Sequence, residues 1–524
     1  MASVVDRARP RTSAAAARVR ALRADRVLAS RWSIPALLSV LSALSLLLRT
    51  RQLNAGFWID EGLSVGIAHH HLTAIPGLLR QDGSPPGYYL LLGVWIRLFG
   101  DGERATHTLS LLFAVGCIPL AFAVGRSLYD RSTGLCCAAL AAIDPYLTYY
   151  AQETRMYALE AFLSLIIALA YVNGILRGRR SWLVVLVLSL DVMLYVHNWG
   201  LFLCVGLAAG TALFARDRLR LFAVAAAGVA LLYAPWLPTL LFQARHTGAP
   251  WSSTPSFHEL VLAPGAVFNG DAPLLAFALV GGAGLASVVR RRGGEERIAV
   301  LTLAVTAGVT VLLAWLLSQL SPAWSTRYLA VVLGPLLLLA ARGLVRARRL
   351  GIAALVAVAF VWFGYSSNDN KENARQVSAA LTASVRPGEL VISTHPEQVP
   401  VLRYYLGPRP RFATTLGLVA DTQVFDWRDA VDRLHTARPR PTLGALLATV
   451  PPGGEFVVIT PVFRDYRAWR AKWTRLVWQR SLQWTALLQN DPRLLLVRHV
   501  STDEVAIRRN YFKPLQAFVY RRLR

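Results

Sequence analysis

Residues 57–62, Phe57-Trp58-Ile59-Asp60-Glu61-Gly62, place two adjacent carboxylates shortly after an apolar run from Ile34 to Leu48. Ionisable side chains beside a bilayer are costly to hold and are functional candidates, although solvated carboxylates are also common in interfacial loops. We therefore take Asp60 and Glu61 as an acidic pair around which the rest of the chain is organised.

The composition is that of a polytopic membrane protein. Of 524 residues, 55% are hydrophobic and only 16% are charged, whereas a soluble protein of this length carries more charge. The formal net charge of +26 comes from basic residues clustered in short loops between apolar runs. This pattern is typical of topology signals and of contact with anionic lipids. Membrane lipids are therefore the expected partner of this charge, and nucleic acid is not.

Residues 1–31 form an arginine-rich arm that we expect to lie in the cytoplasm. The apolar run that follows has no small-residue cleavage site, which predicts a retained anchor rather than a signal peptide. With the arm inside, the positive-inside rule places Asp60 and Glu61 on the outer face of the plasma membrane.

The topology depends on residues 85–99, which as a helix are only about 22 Å long, short of the roughly 30 Å hydrocarbon core. If this segment lies along the interface, the basic turns that follow all face the cytoplasm. The sequence therefore predicts an outer loop at 51–103, with interfacial helices at 62–80 and 85–99, inside a transmembrane domain of 32–366. About eleven spans follow, at approximately 33–50, 104–125, 132–149, 156–176, 181–196, 199–215, 219–241, 273–290, 297–319, 327–342 and 350–366.

The remaining residues, 367–524, are predicted to form a soluble extracytoplasmic α/β domain, because their composition is mixed rather than apolar. Buried-strand patterns occur at 388–393 and 455–460, with further strand candidates at 494–500 and 517–520. Helix-period stretches occur at 374–385 and 465–482. The sequence contains no dinucleotide or Walker motif, so nucleotide binding has no support.

Several charged side chains fall on the outer face once the spans are placed. Glu153 and Arg155 lie in the second outer loop, where an exposed ion pair is the simpler interpretation. His197, between two spans, is by itself more often a hydrogen-bonded interfacial residue than a ligand. Arg327 begins a later span, where an arginine that extends to the lipid headgroups is the simpler interpretation. Their coincidence at one membrane depth favours a shared site.

Three tyrosines, Tyr88, Tyr150 and Tyr328, fall at the same depth. Aromatic rings suit stacking on sugars and lining an apolar groove. With Arg155, Arg327 and His197 they form a candidate donor-binding set. Transfer of a sugar from a polyprenyl phosphate needs a base for the acceptor hydroxyl and cations for the leaving phosphate. The sequence does not predict any cofactor with certainty. The carboxylates and His197 also leave a divalent metal open, but the sequence has no metal-binding spacing such as H-x-x-x-H.

The sequence resembles, over residues 33 to about 366, the GT-C glycosyltransferases that use polyprenyl-phosphate sugars, in the branch of protein O-mannosyltransferases and lipid A aminoarabinose transferases. The stretches that carry the resemblance are Trp58-Ile59-Asp60-Glu61-Gly62, Ser84-Pro85-Pro86-Gly87-Tyr88-Tyr89-Leu90 and Tyr149-Tyr150-Ala151-Gln152-Glu153-Thr154-Arg155-Met156-Tyr157-Ala158-Leu159.

The resemblance implies a GT-C fold and an inverting transfer in which Asp60 is the catalytic base and Glu61 shapes the acceptor site. It also implies that Glu153 occupies an acidic position of the second outer loop and that Arg155 and Arg327 face the donor phosphate. One position departs from the pattern: Ser84 stands before the two prolines, where relatives often have His or Lys.

The leading hypothesis is a membrane glycosyltransferase that moves a sugar from a polyprenyl-phosphate carrier to an extracytoplasmic glycan, lipid or protein. A transporter or flippase of lipid-linked sugars is the alternative, since many spans with polar residues also suit it. Transporters concentrate polar residues near the midplane and often have paired halves. Here the mid-span polar residues are few and no two-fold repeat is present. A structural anchor for the C-terminal domain ranks last, because it leaves the acidic loop without a role.

Overall fold

The computed structural model describes residues 32–291, 293–364, 371–463, 469–501 and 513–523. The predicted cytoplasmic arm at 1–31 and the predicted domain boundary at 366 and 367 lie outside the described residues. Described residues up to 364 are almost entirely helical, and those from 371 onward contain a β-sheet with flanking helices.

The helices of the first part follow one another closely. In chain order they are α1 (Ser33–Arg49), α2 (Ile59–His69), α3 (Ile75–Asp82), α4 (Gly87–Phe99), α5 (Glu103–Leu128), α6 (Arg131–Ile143), α7 (Pro145–Tyr150), α8 (Tyr157–Tyr171), α9 (Arg180–Val196), α10 (Gly200–Phe214), α11 (Leu219–Tyr233), α12 (Leu237–His246), α13 (Phe257–Val261), α14 (Ala263–Val267), α15 (Asp271–Ala276), α16 (Gly282–Val289), α17 (Glu295–Leu320), α18 (Ala330–Arg346) and α19 (Arg349–Phe363). A turn of 3-10 helix, Thr326–Leu329, leads into α18.

Within the described ranges, six helical segments are long and apolar enough to cross a membrane, so the chain is an integral membrane protein. They are Glu103–Leu128, Tyr157–Leu176, Arg216–His246, Asp271–Val289, Glu295–Leu320 and Thr326–Arg346. Each of the other predicted spans also overlaps a helix, but a shorter one. The total of eleven crossings stays a prediction.

One predicted span, 132–149, differs from the structure because its helix stops at Ile143. Asp144 accepts a hydrogen bond from the Leu147 N–H (2.9 Å) and so caps α7, which begins at Pro145. Proline is favoured in the first turn of a helix but interrupts one that it would have to continue. The cap therefore ends α6 and starts a separate short helix under the second outer loop.

The predicted interfacial segments form three helices, α2, α3 and α4, rather than two. Helix α2 begins at Ile59, which puts both Asp60 and Glu61 in its first turn. Carboxylates are favourable there because unpaired N–H groups and the helix dipole give the N-terminus a partial positive charge. Helix α3 ends at Asp82 and is capped by Gly83, whose φ of 100° suits glycine, and Ser84-Pro85-Pro86 leads into α4.

The C-terminal part contains a mixed six-stranded sheet with strand order β3-β2-β1-β4-β6-β5, in which β1 pairs in parallel with β2 and β4. The strands are β1 (Leu390–Ser393), β2 (Arg411–Thr414), β3 (Gly417–Leu418), β4 (Glu455–Pro461), β5 (Leu494–Val500) and β6 (Leu515–Arg522). The helices are α20 (Ala374–Leu381), α21 (Val399–Leu406), α22 (Ala430–Thr436), α23 (Pro439–Ala448) and α24 (Lys472–Gln489). The predicted α/β class is confirmed, although the helix expected at 465–482 lies at 472–489, and 464–468 are not described.

This sheet-containing part packs directly on α2. Gly62 faces Val401 of α21, and Gly66 faces the backbone of Gln423, so closely that a Cβ at either glycine would overlap its neighbour. The backbone N–H of Phe57 donates a hydrogen bond to the Tyr405 hydroxyl (2.7 Å). Helix α2 is therefore held between the helical body and the C-terminal part.

Candidate active site

Asp60 and Arg327 form an ion pair at the N-terminus of α2. Arg327 Nη1 lies 2.7 Å from Asp60 Oδ2, and the side chains are 15% and 22% exposed respectively. The arginine sits in the 3-10 turn before α18, so two parts of the chain 267 residues apart meet here. A carboxylate that is partly exposed and paired with a cation is accessible for chemistry.

Arg155 approaches the same turn of α2 from the second outer loop. Its Nη1 donates to Ser64 Oγ (2.8 Å) and more weakly to the Asp60 carbonyl (3.4 Å) and the Tyr89 hydroxyl (3.4 Å). The structure therefore brings Asp60, Arg155 and Arg327 together, and Arg155 does not form the surface ion pair with Glu153 that the sequence left open.

Both arginines keep unused hydrogen-bonding capacity. In the described part of the chain, the buried Nε atoms of Arg155 and Arg327 have no hydrogen-bond partner. The Arg327 guanidinium is lined by aromatic rings, at 4.8 Å from Trp251 and 5.5 Å from Trp58. Arginine so placed is poorly hydrated and retains donors for an anion such as phosphate.

Glu61, expected beside the acceptor, is instead fully buried and points away from this crevice. Its carboxylate accepts hydrogen bonds from the Thr154 N–H (2.7 Å) and from Lys371 Nζ (2.9 Å), and lies 2.7 Å from His107 Nε2. Burial would raise the pKa of Glu61, but the charge of Lys371 and the contacts with His107 and Thr154 hold it below its ordinary value. Glu61 is thus an ionised structural anchor in this arrangement rather than a group that touches substrate.

Glu153 is also buried, with 1% of its surface exposed, and its Oε2 has no partner among the described residues. Burial, and secondarily the charge of Glu61, raise the pKa of Glu153. The side chain is therefore held neutral near Glu61, and a role as an ionised catalytic group has no support from its surroundings.

His197 contacts the site through its ring, which lies 4.4 Å from that of Tyr328. Its Nδ1 accepts a hydrogen bond from the Trp199 N–H (3.2 Å). Burial, then the charges of Arg155 and Arg327, lower the pKa of His197 to about 3. His197 is consequently a neutral ring in the wall of the site and not a cation for the donor.

The three candidate tyrosines take different positions. Tyr328 packs between His197 and Trp199, its ring 5.4 Å from the latter, beside Arg327. Tyr88 is buried, and its hydroxyl has no partner in the described ranges. Tyr150 is half-buried and packs on Tyr149 with ring centroids 5.0 Å apart. Of these, Tyr328 is nearest to the paired Asp60 and Arg327.

Two open cavities adjoin the turn that carries Arg327. One, of about 340 Å³, is lined by residues of the loop after α12, including His258, Asn269 and Asp271, together with Thr326. The other, of about 140 Å³, is lined by Tyr149, Tyr150, Asn269 and Thr326 among others. Because both are lined by Asn269 and Thr326, the two cavities are neighbours, and each reaches the residue before Arg327.

Sequence reasoning missed several groups that complete the site. Asp82 is buried next to Ser84, and burial raises the pKa of Asp82 to about 6. Ser84, the position that departs from the family pattern, accepts a hydrogen bond from the Tyr89 hydroxyl (3.2 Å), which in turn meets Arg155. Lys371 offered a compositional signal, because the chain contains only three lysines.

Metal ligands do not assemble in the described ranges, where no three His, Cys, Asp or Glu side chains come together as a site for an ion. No residues can therefore be named for the divalent metal that the sequence left open.

The helical body and the sheet-containing C-terminal part together have the fold of solved GT-C glycosyltransferase structures. Solved structures with this fold include ArnT from Cupriavidus metallidurans bound to undecaprenyl phosphate, with a TM-score of 0.59 at 13% identity over 94% of this chain and 98% of that one. A second is the archaeal oligosaccharyltransferase AglB from Archaeoglobus fulgidus, in complex with an inhibitory peptide and a dolichol-phosphate. Its TM-score is 0.52 at 11% identity, over 82% of this chain and 70% of that one.

The arabinofuranosyltransferase AftD from Mycobacteria gives a TM-score of 0.51 at 16% identity over 92% of this chain but 39% of that one. The sequence matches no protein-family model and no curated protein. At these identities the likeness establishes the fold and not the activity.

Proposed function

We propose that this protein is a membrane glycosyltransferase that moves a sugar from a polyprenyl-phosphate carrier to an acceptor hydroxyl, with Asp60 as general base. The observation that carries the proposal is the convergence of one partly exposed carboxylate with Arg155 and Arg327, both of which retain unused donors. A base and two phosphate-binding cations are what this reaction requires.

The named ligands of the structural neighbours support a lipid phosphate as the donor. Undecaprenyl phosphate is bound in the ArnT structure and a dolichol-phosphate in the AglB structure, and both proteins share the fold of this chain. The smaller cavity is lined by three tyrosines and by Thr326, the residue before Arg327. An aromatic lining at this place suits a polyprenyl chain whose phosphate is held at the arginine.

In the proposed reaction the acceptor oxygen attacks the anomeric carbon while its proton passes to the Asp60 carboxylate. The bond between the anomeric carbon and the phosphate oxygen breaks, and its electron pair leaves with the polyprenyl phosphate. Arg155 and Arg327 stabilise the charge that develops on that phosphate. A single displacement of this kind inverts the anomeric centre.

The ion pair between Asp60 and Arg327 gives the donor a second role. Arginine binds phosphate at least as well as carboxylate, often through two parallel hydrogen bonds. Donor phosphate that draws Arg327 away from Asp60 would leave the carboxylate free to accept a proton. In this proposal donor binding therefore activates the base, and the acceptor reacts only when the donor is present.

The proposed sidedness follows from charge. Asp60 and Arg327 lie at the N-terminal end of α18, whereas Arg342 and Arg346 lie near its C-terminal end. Basic residues favour the cytoplasm, so the site and the C-terminal part of the chain would face outward. An extracytoplasmic glycan, lipid or protein is the proposed acceptor class.

Transfer assays in proteoliposomes test this function with a panel of radiolabelled polyprenyl-phosphate sugars and cell-envelope acceptors. Asp60→Asn should cut kcat by about 10² or more, because the amide cannot accept the proton. Donor binding should be equal or tighter, because Arg327 no longer pairs with a carboxylate. Asp101→Asn is the matched control, since Asp101 is on the same outer loop and pairs with His69 at 2.9 Å.

Full activity of Asp60→Asn would remove Asp60 from the role of base. Movement of the intact labelled lipid across the bilayer, without transfer to any acceptor, would instead identify a flippase.

A further inference from the structure

Lys371, the first described residue after the gap at 365–370, contacts the acidic turn of α2 with its side chain. It is 9% exposed. Its Nζ donates to Glu61 Oε1 (2.9 Å) and to the Gln152 carbonyl (2.9 Å), and lies 3.2 Å from His107 Nε2. A buried lysine with this many close partners is fixed in position, unlike a lysine at a surface.

Glu61 is the centre of these contacts and joins four segments of the chain. Its Oε2 accepts the Trp58 N–H (3.3 Å) at the start of α2, and its Oε1 accepts the Thr154 N–H of the second outer loop. His107 of α5 and Lys371 complete the set. Because Asp60 is the preceding residue, whatever fixes Glu61 also fixes the backbone that presents Asp60.

The charges around Glu61 make Lys371 the important partner. Among the described residues, Lys371 is the one lysine or arginine that forms an ion pair with Glu61. The other titratable groups near Glu61 are His107 at 2.7 Å and the buried Glu153 and Tyr88. Asp60 and Arg155 contact each other on the crevice side of α2. Removal of one member of a buried pair leaves an uncompensated charge, which is far more costly than loss of a surface pair.

We propose that Lys371 is a positioning residue: by neutralising Glu61 it holds the first turn of α2 so that the Asp60 carboxylate faces Arg327, and it thereby couples the C-terminal part of the chain to the active site. The coupling rests on the proposed role of Asp60 as base. Contacts of α2 with Val401 and Gln423 reinforce it, because they belong to the same C-terminal part.

The experiment compares Lys371→Met with wild-type protein, using Lys472→Met as the matched control because Lys472 is exposed. Lys371→Met should lower kcat by about tenfold or more with little change in donor KM, since it disturbs the base rather than the phosphate site. Glu61→Gln combined with Lys371→Met should recover several-fold of that loss, because a neutral amide needs no counter-charge. A residue that only supported the fold would show no such recovery.

The thermal unfolding temperature supplies a readout that needs no activity. In wild-type protein the pKa of Glu61 is lowered, so the stability from its pairing is present above the ordinary value and is lost on acidification. Without Lys371, burial would raise that pKa, so between about pH 5 and 8 the variant should lose stability more steeply than wild-type protein as pH increases. The double variant should return to the wild-type slope, to which the buried Glu153 still contributes.

An unchanged kcat in Lys371→Met, or additive losses in the double variant, would overturn the coupling. A wild-type protein that transfers no sugar from any polyprenyl phosphate would overturn the proposed function. In that case, the pH dependence of unfolding would still decide whether Lys371 neutralises Glu61.

Discussion

Two clusters of arginines and carboxylates lie at opposite ends of α18, and they differ in how completely their hydrogen bonds are used. At the C-terminal end, Arg342 donates through Nε, Nη1 and Nη2 to Glu296, Asp130 and Thr133, and Arg346 donates to Glu296 as well. At the N-terminal end, the Nε of Arg327 has no partner in the described ranges.

The difference separates a structural cluster from the proposed binding site. All three nitrogens of Arg342 donate hydrogen bonds, and these contacts tie α18 to the starts of α6 and α17. Arg327 is buried among aromatic rings yet retains an unused donor, which is costly unless a ligand completes it. Arginine thus connects neighbouring helices at the C-terminal end of α18, whereas Arg327 at the N-terminal end keeps a donor that an anion could use.

The largest effect that tests this comparison is expected from paired substitutions at the two ends. Arg327→Gln should weaken binding of polyprenyl phosphate by about tenfold or more, because a charge-assisted hydrogen bond to phosphate is lost. Arg342→Gln should leave lipid binding unchanged but lower the unfolding temperature, with a loss of about 1–3 kcal/mol. Isothermal titration in detergent and fluorescence-monitored unfolding measure the two quantities.

A lipid affinity that falls equally in both variants would contradict the distinction between the two clusters. It would mean that the arginines act through the stability of α18.

A smaller effect is expected from Gly62→Ala, which tests how the partner of Arg327 is positioned, since Gly62 lies in the turn of α2 that carries Asp60. The added methyl group would overlap Val401 and push the C-terminal part away from α2, at a cost of about 1–2 kcal/mol. Transfer activity should fall with it, because the turn that carries Asp60 moves relative to Arg327. Gly77→Ala is the control, since a Cβ there meets no neighbour within 4 Å.

Equal stability and activity of the two glycine variants would show that the packing of α21 on α2 does not position Asp60.

The smallest effect is expected in the pH dependence of the free energy of unfolding, and it comes from Glu153. Burial raises the pKa of Glu153 above its ordinary value of 4.5, so the folded protein binds a proton that the unfolded chain releases. The free energy of unfolding should therefore decrease as pH rises above that value, and Glu153→Gln should remove about 1 kcal/mol of this decrease between pH 5 and 8. Unfolding temperatures across that range measure the slope.

Glu259→Gln, at an exposed position on another outer loop, is the control and should keep the wild-type slope. An unaltered slope in Glu153→Gln would mean that Glu153 is ionised in the folded protein.

The helical body was largely predictable because apolar length is a strong signal: a helix rises about 1.5 Å per residue and must cover the hydrocarbon core. The prediction failed at 132–149, where hydropathy continues through Asp144-Pro145 although the helix does not. In the C-terminal part, β1, β4, β5 and β6 follow apolar runs. The short strands β2 and β3, of four and two residues, leave no comparable pattern.

The residues of the candidate site could be predicted where they lie in or near a recognisable motif. They could not be predicted where their position depends on tertiary packing. Asp60, Arg155 and Arg327 were singled out and do meet. Glu61 was expected to face the acceptor with Asp60, but successive residues of a helix point about 100° apart, so one faces the crevice and the other the interior. Lys371 is 310 residues from Glu61, a pairing that no local pattern reveals.

That separation along the chain has a consequence for biosynthesis. Ribosomes add about 5–20 residues per second, so Lys371 emerges roughly 15–60 s after Glu61 has been made. Throughout that interval the nascent protein carries an acidic turn whose counter-ion does not yet exist. Completion of the proposed catalytic centre must therefore wait until the segment that carries Lys371 has been synthesised and has reached Glu61.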